Sequence, residues 1–298
     1  MKRSQIKYNK LMKSVKNKIQ NYDVAEATYI INKNRKYFSS QDINLLINEV
    51  TKLKSEEDEK AYFIYRIFCD VDLLSHENND LLIGEMAKIK DLRWIVQMLI
   101  WSGNLRDKNI EPLVRVILES NDLYFIYQLV SNKNVLSNLD IETEELLLSK
   151  VIEINDANTI CILAINANWL NKEHKNMLTR AVVETEKAKF ICSFICNVHG
   201  LSETNVNDLK NALLKTKNMI YIAGMLYVLK DYKLTNEIFG SLENYILYCS
   251  LNKHLLKNIG IKIDINQFVE NMNNVQFTYV DDNIDKYLEK GSKKVLSE

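Results

Sequence analysis

The chain has 298 residues, with 39 basic and 39 acidic side chains, a formal net charge of zero, 47% apolar residues, one proline and seven glycines. A neutral balance excludes a global pull towards nucleic acid or anionic membrane. So few prolines and glycines argue against an all-β fold, and no apolar run reaches the roughly 18–20 residues that a membrane span needs.

Residues 1–22 hold Lys2, Arg3, Lys7, Lys10, Lys13, Lys16 and Lys18 and no acid. Leu11, Val15 and Ile19 fall at i, i+4 and i+8, which predicts a basic amphipathic helix. Three roles stay open for it. It caps the first repeat with its apolar stripe, or Lys7, Lys10, Lys13 and Lys16 form an arm for nucleic acid or an acidic partner, or it lies at a membrane interface. It lacks the Trp or Phe face of a membrane anchor, and the N-terminus lacks a secretory apolar region.

Residues 23–250 read as a repeat. With Ile191 in FICSF as anchor, matching isoleucines are Ile30, Ile64, Ile95, Ile126, Ile160 and Ile222, at steps of 34, 31, 31, 34, 31 and 31 residues. The residue before the anchor is aromatic in six units (Tyr29, Phe63, Trp94, Phe125, Phe190, Tyr221) and Thr159 in the seventh. Positions −3, 0, +4 and +7 from the anchor are mostly apolar, as in Ala188, Ile191, Ile195 and Val198. Positions −1 and +3 add a second apolar strip, so the first helix of each unit is expected to bury a wide face.

A turn follows, with Gly103 in one unit and Gly200 in another. The second helix has its own stripe: Ile110, Leu113, Val114 and Ile117 in one unit, and Val206, Leu209, Ala212 and Leu213 in another. Pro112 is placed near the start of a second helix, where a missing N–H does least harm. Ser55–Lys60 and Ser75–Asp80 read as short charged loops. No linker interrupts the array, so one continuous domain is expected. Two short amphipathic helices cannot bury their apolar faces alone, so the units must stack.

From about residue 251 the pattern degrades into a divergent C-terminal cap and tail, 251–298. Leu255, Leu256 and Ile259 begin a last helix, Gly260–Ile265 alternates, Phe268, Val269 and Met272 resume a helical stripe, and 281–298 is polar. The five cysteines are odd in number and three sit at repeat positions. They read as free thiols in a reducing, cytoplasmic compartment.

No catalytic motif emerges. There is no glycine-rich phosphate loop, HExxH, CxxC pair or nucleophile elbow, and the acidic pairs lie in charged loops. No cofactor is expected. A helical-repeat enzyme of base-excision type would need a carboxylate and aromatics along a basic cleft, and the sequence singles out none. Cys192, Cys196 and His199 stand at i, i+4 and i+7, a spacing that brings three zinc ligands to one side of a helix. The same slots hold Cys161, Tyr127 and Val96, and Ile165 and Tyr227, in other units, which favours packing by small hydrophobes.

A stripe at −2, +2 and +6 stays polar from unit to unit. Stacking would merge these stripes into one surface. It reads Thr28, Asn32, Lys36; Tyr62, Arg66, Asp70; Arg93, Gln97, Trp101; Tyr124, Gln128, Asn132; Asn158, Ile162, Asn166; and Lys189, Ser193, Asn197. Tryptophan, tyrosine and arginine are enriched at interface hot spots, so Tyr62, Arg66, Arg93, Gln97, Trp101, Tyr124 and Gln128 form the candidate partner-binding patch. The alternative is that Trp101 packs under the neighbouring turn.

The run KFICSFICNVHGLSETNVNDLKNALLKT resembles a repeat of uncharacterised bacterial and phage proteins, of the form YIYxFAxxVKGxNIxxLExAIIKT. FICSFICNVHGL matches its start and turn, and Asn205–Thr216 its second helix. The likeness covers residues 187–226. It implies an α-helical array common in mobile elements, and no activity or functional residue. The expectation is therefore an all-α solenoid of about seven helix pairs that binds a protein without catalysis. The composition and the phage-like repeat make an inhibitor of a bacterial host enzyme or defence complex one such role. Nucleic-acid binding through the N-terminal helix and an array groove is the alternative.

Overall fold

A computed structural model describes residues 2–53, 57–71, 74–101, 105 and 107–258. Among these the chain is all-helical, with no strand. It divides into two compact units, Met1–Ile154 with Asn166–Trp169, and Asn155–Ile165 with Leu170–Glu298.

In the first unit the helices are α1 (Lys2–Gln20), α2 (Val24–Lys33), α3 (Ser40–Thr51), α4 (Glu57–Asp70), α5 (His76–Ile89), α6 (Leu92–Trp101), α7 (Asp107–Ser120), α8 (Leu123–Val130), α9 (Lys133–Leu136) and α10 (Ile141–Ile154), with a 3-10 turn at Arg35–Tyr37. Alternate helices are neighbours. α2, α4, α6 and α8 follow one another side by side, and so do α1, α3, α5, α7 and α10. α1 lies on α2 and α3. It buries Met12, Val15 and Ile19, while Leu11 is only half-buried. Tyr8 ties it down, its hydroxyl donating to Asp42 at 2.6 Å.

The second unit holds α11 (Ala157–Asn166) except its last residue, Asn166, which belongs to the first, and α12 (Lys172–Glu184), α13 (Ala188–Asn197), α14 (Glu203–Lys215), α15 (Met219–Leu229), α16 (Tyr232–Phe239), α17 (Leu242–Leu251) and α18 (Lys253–Asn258). Here too alternate helices pair: α13 with α15, and α12 with α14. Two thiols at one repeat position repeat one bond. Cys161 donates to the carbonyl of Phe190 at 3.3 Å, and Cys192 to that of Tyr221 at 3.4 Å. Inside the unit the buried Tyr245 hydroxyl donates to the Ala223 carbonyl at 2.9 Å.

The anchor isoleucines are core. Ile64, Ile95, Ile126, Ile160 and Ile191 are 0% exposed and Ile222 2%. Each such burial contributes roughly 2 kcal/mol. A left-handed residue stands five positions before five of these anchors: Lys90, Asn121, Asn155, Glu186 and Lys217. It reverses the chain between the second helix of one pair and the first of the next. The residue after it opens the new helix, and Asp122 does so by accepting from the Tyr124 N–H at 2.9 Å.

The first unit departs from the expected register. Ile30 is only half-buried, and α2 buries Val24, Ala27, Thr28 and Ile31 instead. The turn explains the shift. Tyr22 has φ 58°, and five residues on is Ala27, so Ala27 takes the anchor's place. The aromatic position also differs from expectation. Phe63 is buried, but Trp94, Phe125, Phe190 and Tyr221 are half-buried and Tyr29 is exposed. At 3.6 residues per turn, position −1 lies about 100° from the anchor, at the rim of the buried face. Position +3 lies nearer its centre, and Ile67, Met98, Leu129, Leu163, Phe194 and Met225 are all buried.

The two charged segments are not loops where they are described. Residues 57–60 open α4, and 76–80 open α5 behind a capping box of Ser75 and Asn78. Pro112 is not in a first turn. It lies inside α7, where residue 112 has no N–H to give the carbonyl of residue 108. The longer step from Ile126 to Ile160 accommodates the extra short helix α9. Residues 259–298, including Ile259, Gly260–Ile265, Phe268, Val269 and Met272, lie outside the described residues. So does Gly103.

Second helices begin on side-chain caps. Ser39, Ser75, Asp140, Asn171 and Ser202 accept from the backbone N–H of Asp42, Asn78, Thr143, His174 and Asn205. Hydrogen bonds also join neighbouring helices, as from Asn78 to the carbonyl of Ser40, 38 residues apart in sequence.

Candidate functional site

The polar flank of α4, α6 and α8 gathers most of the expected patch. Tyr62 and Arg66 project from α4, Arg93 and Gln97 from α6, and Tyr124 and Gln128 from α8. These helices are successive neighbours, so the residues share one surface of the first unit. Tyr124 is 63% exposed, its ring edge-on to Phe125 at 5.1 Å. Tyr62, Arg66, Gln97 and Gln128 are half-buried. The side chain of Trp101, expected here, lies outside the described residues.

Two aromatic residues join this surface. The ring of Trp94 lies 4.9 Å from that of Tyr62 and 5.0 Å from that of Tyr65, tilted by 46° and 32°. Tilted and offset rings at this spacing attract beyond their buried area. All three are half-buried. Trp94 belongs to the aromatic position read as part of the core stripe.

The arginines are not free cations. Arg66 Nε donates to Asp70 Oδ2 at 2.6 Å, and its guanidinium stands 6.0 Å over the Tyr62 ring. Arg93 donates to Asp91 at 2.9 Å and reaches Asp58 on α4 at 3.7 Å. The bond to Asp91 raises its pKa. The surface is therefore an aromatic platform edged by neutralised ion pairs, and phosphate would have to displace Asp70, Asp91 and Asp58.

The +6 position has a structural use. Asn166 donates to the Val130 carbonyl at 3.1 Å, Asn197 to that of Ser193 at 2.9 Å, and Asn132 caps α9 by accepting from Val135. These asparagines close backbone ends rather than wait for a ligand.

The lysines of α1 divide. Lys16 pairs with Glu49 at 3.6 Å and Lys18 with Asp23 at 2.8 Å. Lys7 stands over the ring of Tyr37 at 4.9 Å, and Lys10 and Lys13 are exposed. In the second unit, Cys192 and Cys196 are 3.9 Å apart at sulfur. His199 is exposed, and its carbonyl accepts from Lys175 at 2.8 Å. Among the described residues no group of three or more His, Cys, Asp or Glu side chains is placed to hold a metal ion, and no helix is long and apolar enough to cross a membrane. A shallow depression of about 420 Å³ on α12 is lined by Lys172, Glu173, Asn176, Met177 and Arg180, with mixed charge.

Comparison of the chain with protein-family models, with curated proteins and with solved structures finds no match.

Proposed function

We propose that the chain is a non-catalytic α-solenoid of about seven helix pairs that recognises a protein partner through the flank of α4, α6 and α8. The observation that carries this reading is the Tyr62–Trp94–Tyr65 cluster, with Arg66 over Tyr62, Arg93 one residue before Trp94, and the exposed Tyr124 on the neighbouring helix α8. Such rings offer a large contact area with little rotamer entropy to lose. The carboxylates around the arginines favour a mixed protein surface over a polyphosphate. The repeated left-handed turns and the pairing of alternate helices within each unit support the solenoid. A bacterial host enzyme or defence complex is the partner class that the composition and the phage-like repeat together suggest.

The test is capture of partners from a bacterial lysate, followed by affinity measurement with the purified candidate. Arg93→Ala with Tyr124→Ala should weaken binding by about 2 kcal/mol or more. The thermal midpoint should stay within the equivalent of about 0.5 kcal/mol, because both side chains are exposed. Lys172→Ala with Arg180→Ala on α12 should leave binding intact. Equal loss from both pairs, or none from the first, would remove this surface from the reading.

A further inference from the structure

We propose that the surface made by α1 and the Arg35–Tyr37 turn is a binding site for single-stranded nucleic acid.

Charge is the first observation. Residues 1–37 hold ten basic side chains against two acidic ones, Asp23 and Glu26, for a net +8; the rest of the chain carries −8. The overall neutrality thus hides a strong local field, which draws a polyanion to one end of the first unit.

The second observation is which cations are available. Lys18 and Lys16 are taken by Asp23 and Glu49. Lys7, Lys10, Lys13, Arg35 and Lys36 have no carboxylate partner among the described residues, and all five are exposed. The contrast with Arg66 and Arg93, each held by aspartate, is direct. The apolar stripe of α1 is buried, so its outward face is free to be basic.

The third observation is aromatic. Lys7 from α1 and Lys36 from the turn converge on the ring of Tyr37, at 4.9 and 5.4 Å from its centre. Tyr29, 54% exposed, has Lys33 over its ring at 5.1 Å. Lys33 also donates to the Tyr29 hydroxyl at 2.9 Å. Rings beside cations that have no carboxylate partner are what a splayed strand requires. Phosphates draw the ammonium groups, and bases stack on the rings. A duplex hides its base faces, which favours the single strand. A membrane is disfavoured because Ile6 is the one large, exposed apolar side chain on α1 among the described residues, too little to anchor an interfacial helix.

The probes are labelled oligothymidine of about 16 nucleotides, a duplex of equal length, phosphatidylserine vesicles and polyglutamate, each titrated with the full chain. Oligothymidine should bind best. The logarithm of its affinity should fall with that of salt with a slope of about −3, for four or five phosphate contacts at roughly −0.7 each. Lys10→Gln, Lys13→Gln, Arg35→Gln and Lys36→Gln together should weaken binding by more than about tenfold and flatten that slope. Tyr37→Leu should cost about tenfold on the single strand and leave the slope unchanged. Melting by circular dichroism checks that each variant folds, and Lys10→Gln with Lys13→Gln alone keeps the test valid if the larger set does not. No binding of oligothymidine at low salt overturns the proposal, as does wild-type affinity in the lysine and arginine variants. Preference for vesicles, polyglutamate or duplex over oligothymidine does the same.

Discussion

The first helices of the two units, α4, α6 and α8 in one and α11, α13 and α15 in the other, carry the same anchor with different flanks. Ile64, Ile95 and Ile126 are as buried as Ile160, Ile191 and Ile222. One residue further on, the first unit has Tyr65, Val96 and Tyr127, and the second has Cys161, Cys192 and Ala223. Two residues before the anchor stand Tyr62, Arg93 and Tyr124 against Asn158, Lys189 and Ile220. The anchor is held to one shape by packing, while the slots beside it diverge in size and burial: Val96, Cys161, Cys192 and Ala223 are buried, and Tyr65 and Tyr127 half-buried. On the reading proposed above, a partner docks on the aromatic and cationic rim of the first unit. In the second unit two of the same slots are spent on thiol bonds to the next helix.

The largest effect tests the shared half of this comparison. Ile95→Ala and Ile191→Ala should each lose about 2–5 kcal/mol in urea unfolding, by lost burial and the cavity left behind. Ile30→Ala should lose less than about 1 kcal/mol, because that side chain is half-buried. Similar losses at all three would restore Ile30 as an anchor and undo the register shift in α2.

The next test concerns the thiols. Burial pushes Cys161 from 9.0 up to about 12, and Cys249 to about 11. The folded chain keeps both protons after the unfolded chain has lost them. The stabilisation is complete below pH 9 and disappears as pH rises towards those values. The slope is about 1.4 kcal/mol per thiol per pH unit. Unfolding followed at pH 8 and pH 10 should show the loss, and Cys161→Ala with Cys249→Ala should blunt it. An unchanged profile in the double variant would mean that the thiols of the second unit are open to water.

The smallest effect sharpens the equivalence of the turns. Lys90→Gly in the first unit and Glu186→Gly in the second should each raise stability by about 1 kcal/mol, since glycine takes the left-handed conformation without a Cβ clash. A gain at one and a loss at the other, in thermal melting, would show that the two turns are not built alike.

The helical class and six of the seven anchors were legible in the sequence, because a buried isoleucine every 31 or 34 residues leaves a periodic trace. The register of α2 was not. Ile30 and Ile31 are adjacent, and only the turn at Tyr22 decides which faces inward. Pro112 misled because a proline is usually tolerated only in a first turn, whereas α7 carries it further in. Of the patch, Tyr62, Arg66, Arg93 and Tyr124 were legible as polar-slot outliers. Trp94 and Tyr65 were not, since hydrophobic periodicity does not separate a core position from a rim one. The carboxylates that hold Arg66 and Arg93 depend on side-chain geometry. The split among the α1 lysines likewise follows from where Glu49 and Tyr37 fall in space.

The bond from Asn78 on α5 back to Ser40 on α3 closes over 38 residues. During synthesis, a helix therefore meets its bonding partners soon after it clears the ribosome, before the distal part of the chain exists. Assembly by short closures is fast and leaves little apolar surface waiting for a remote strand. A released chain truncated after Trp169 should already resist protease.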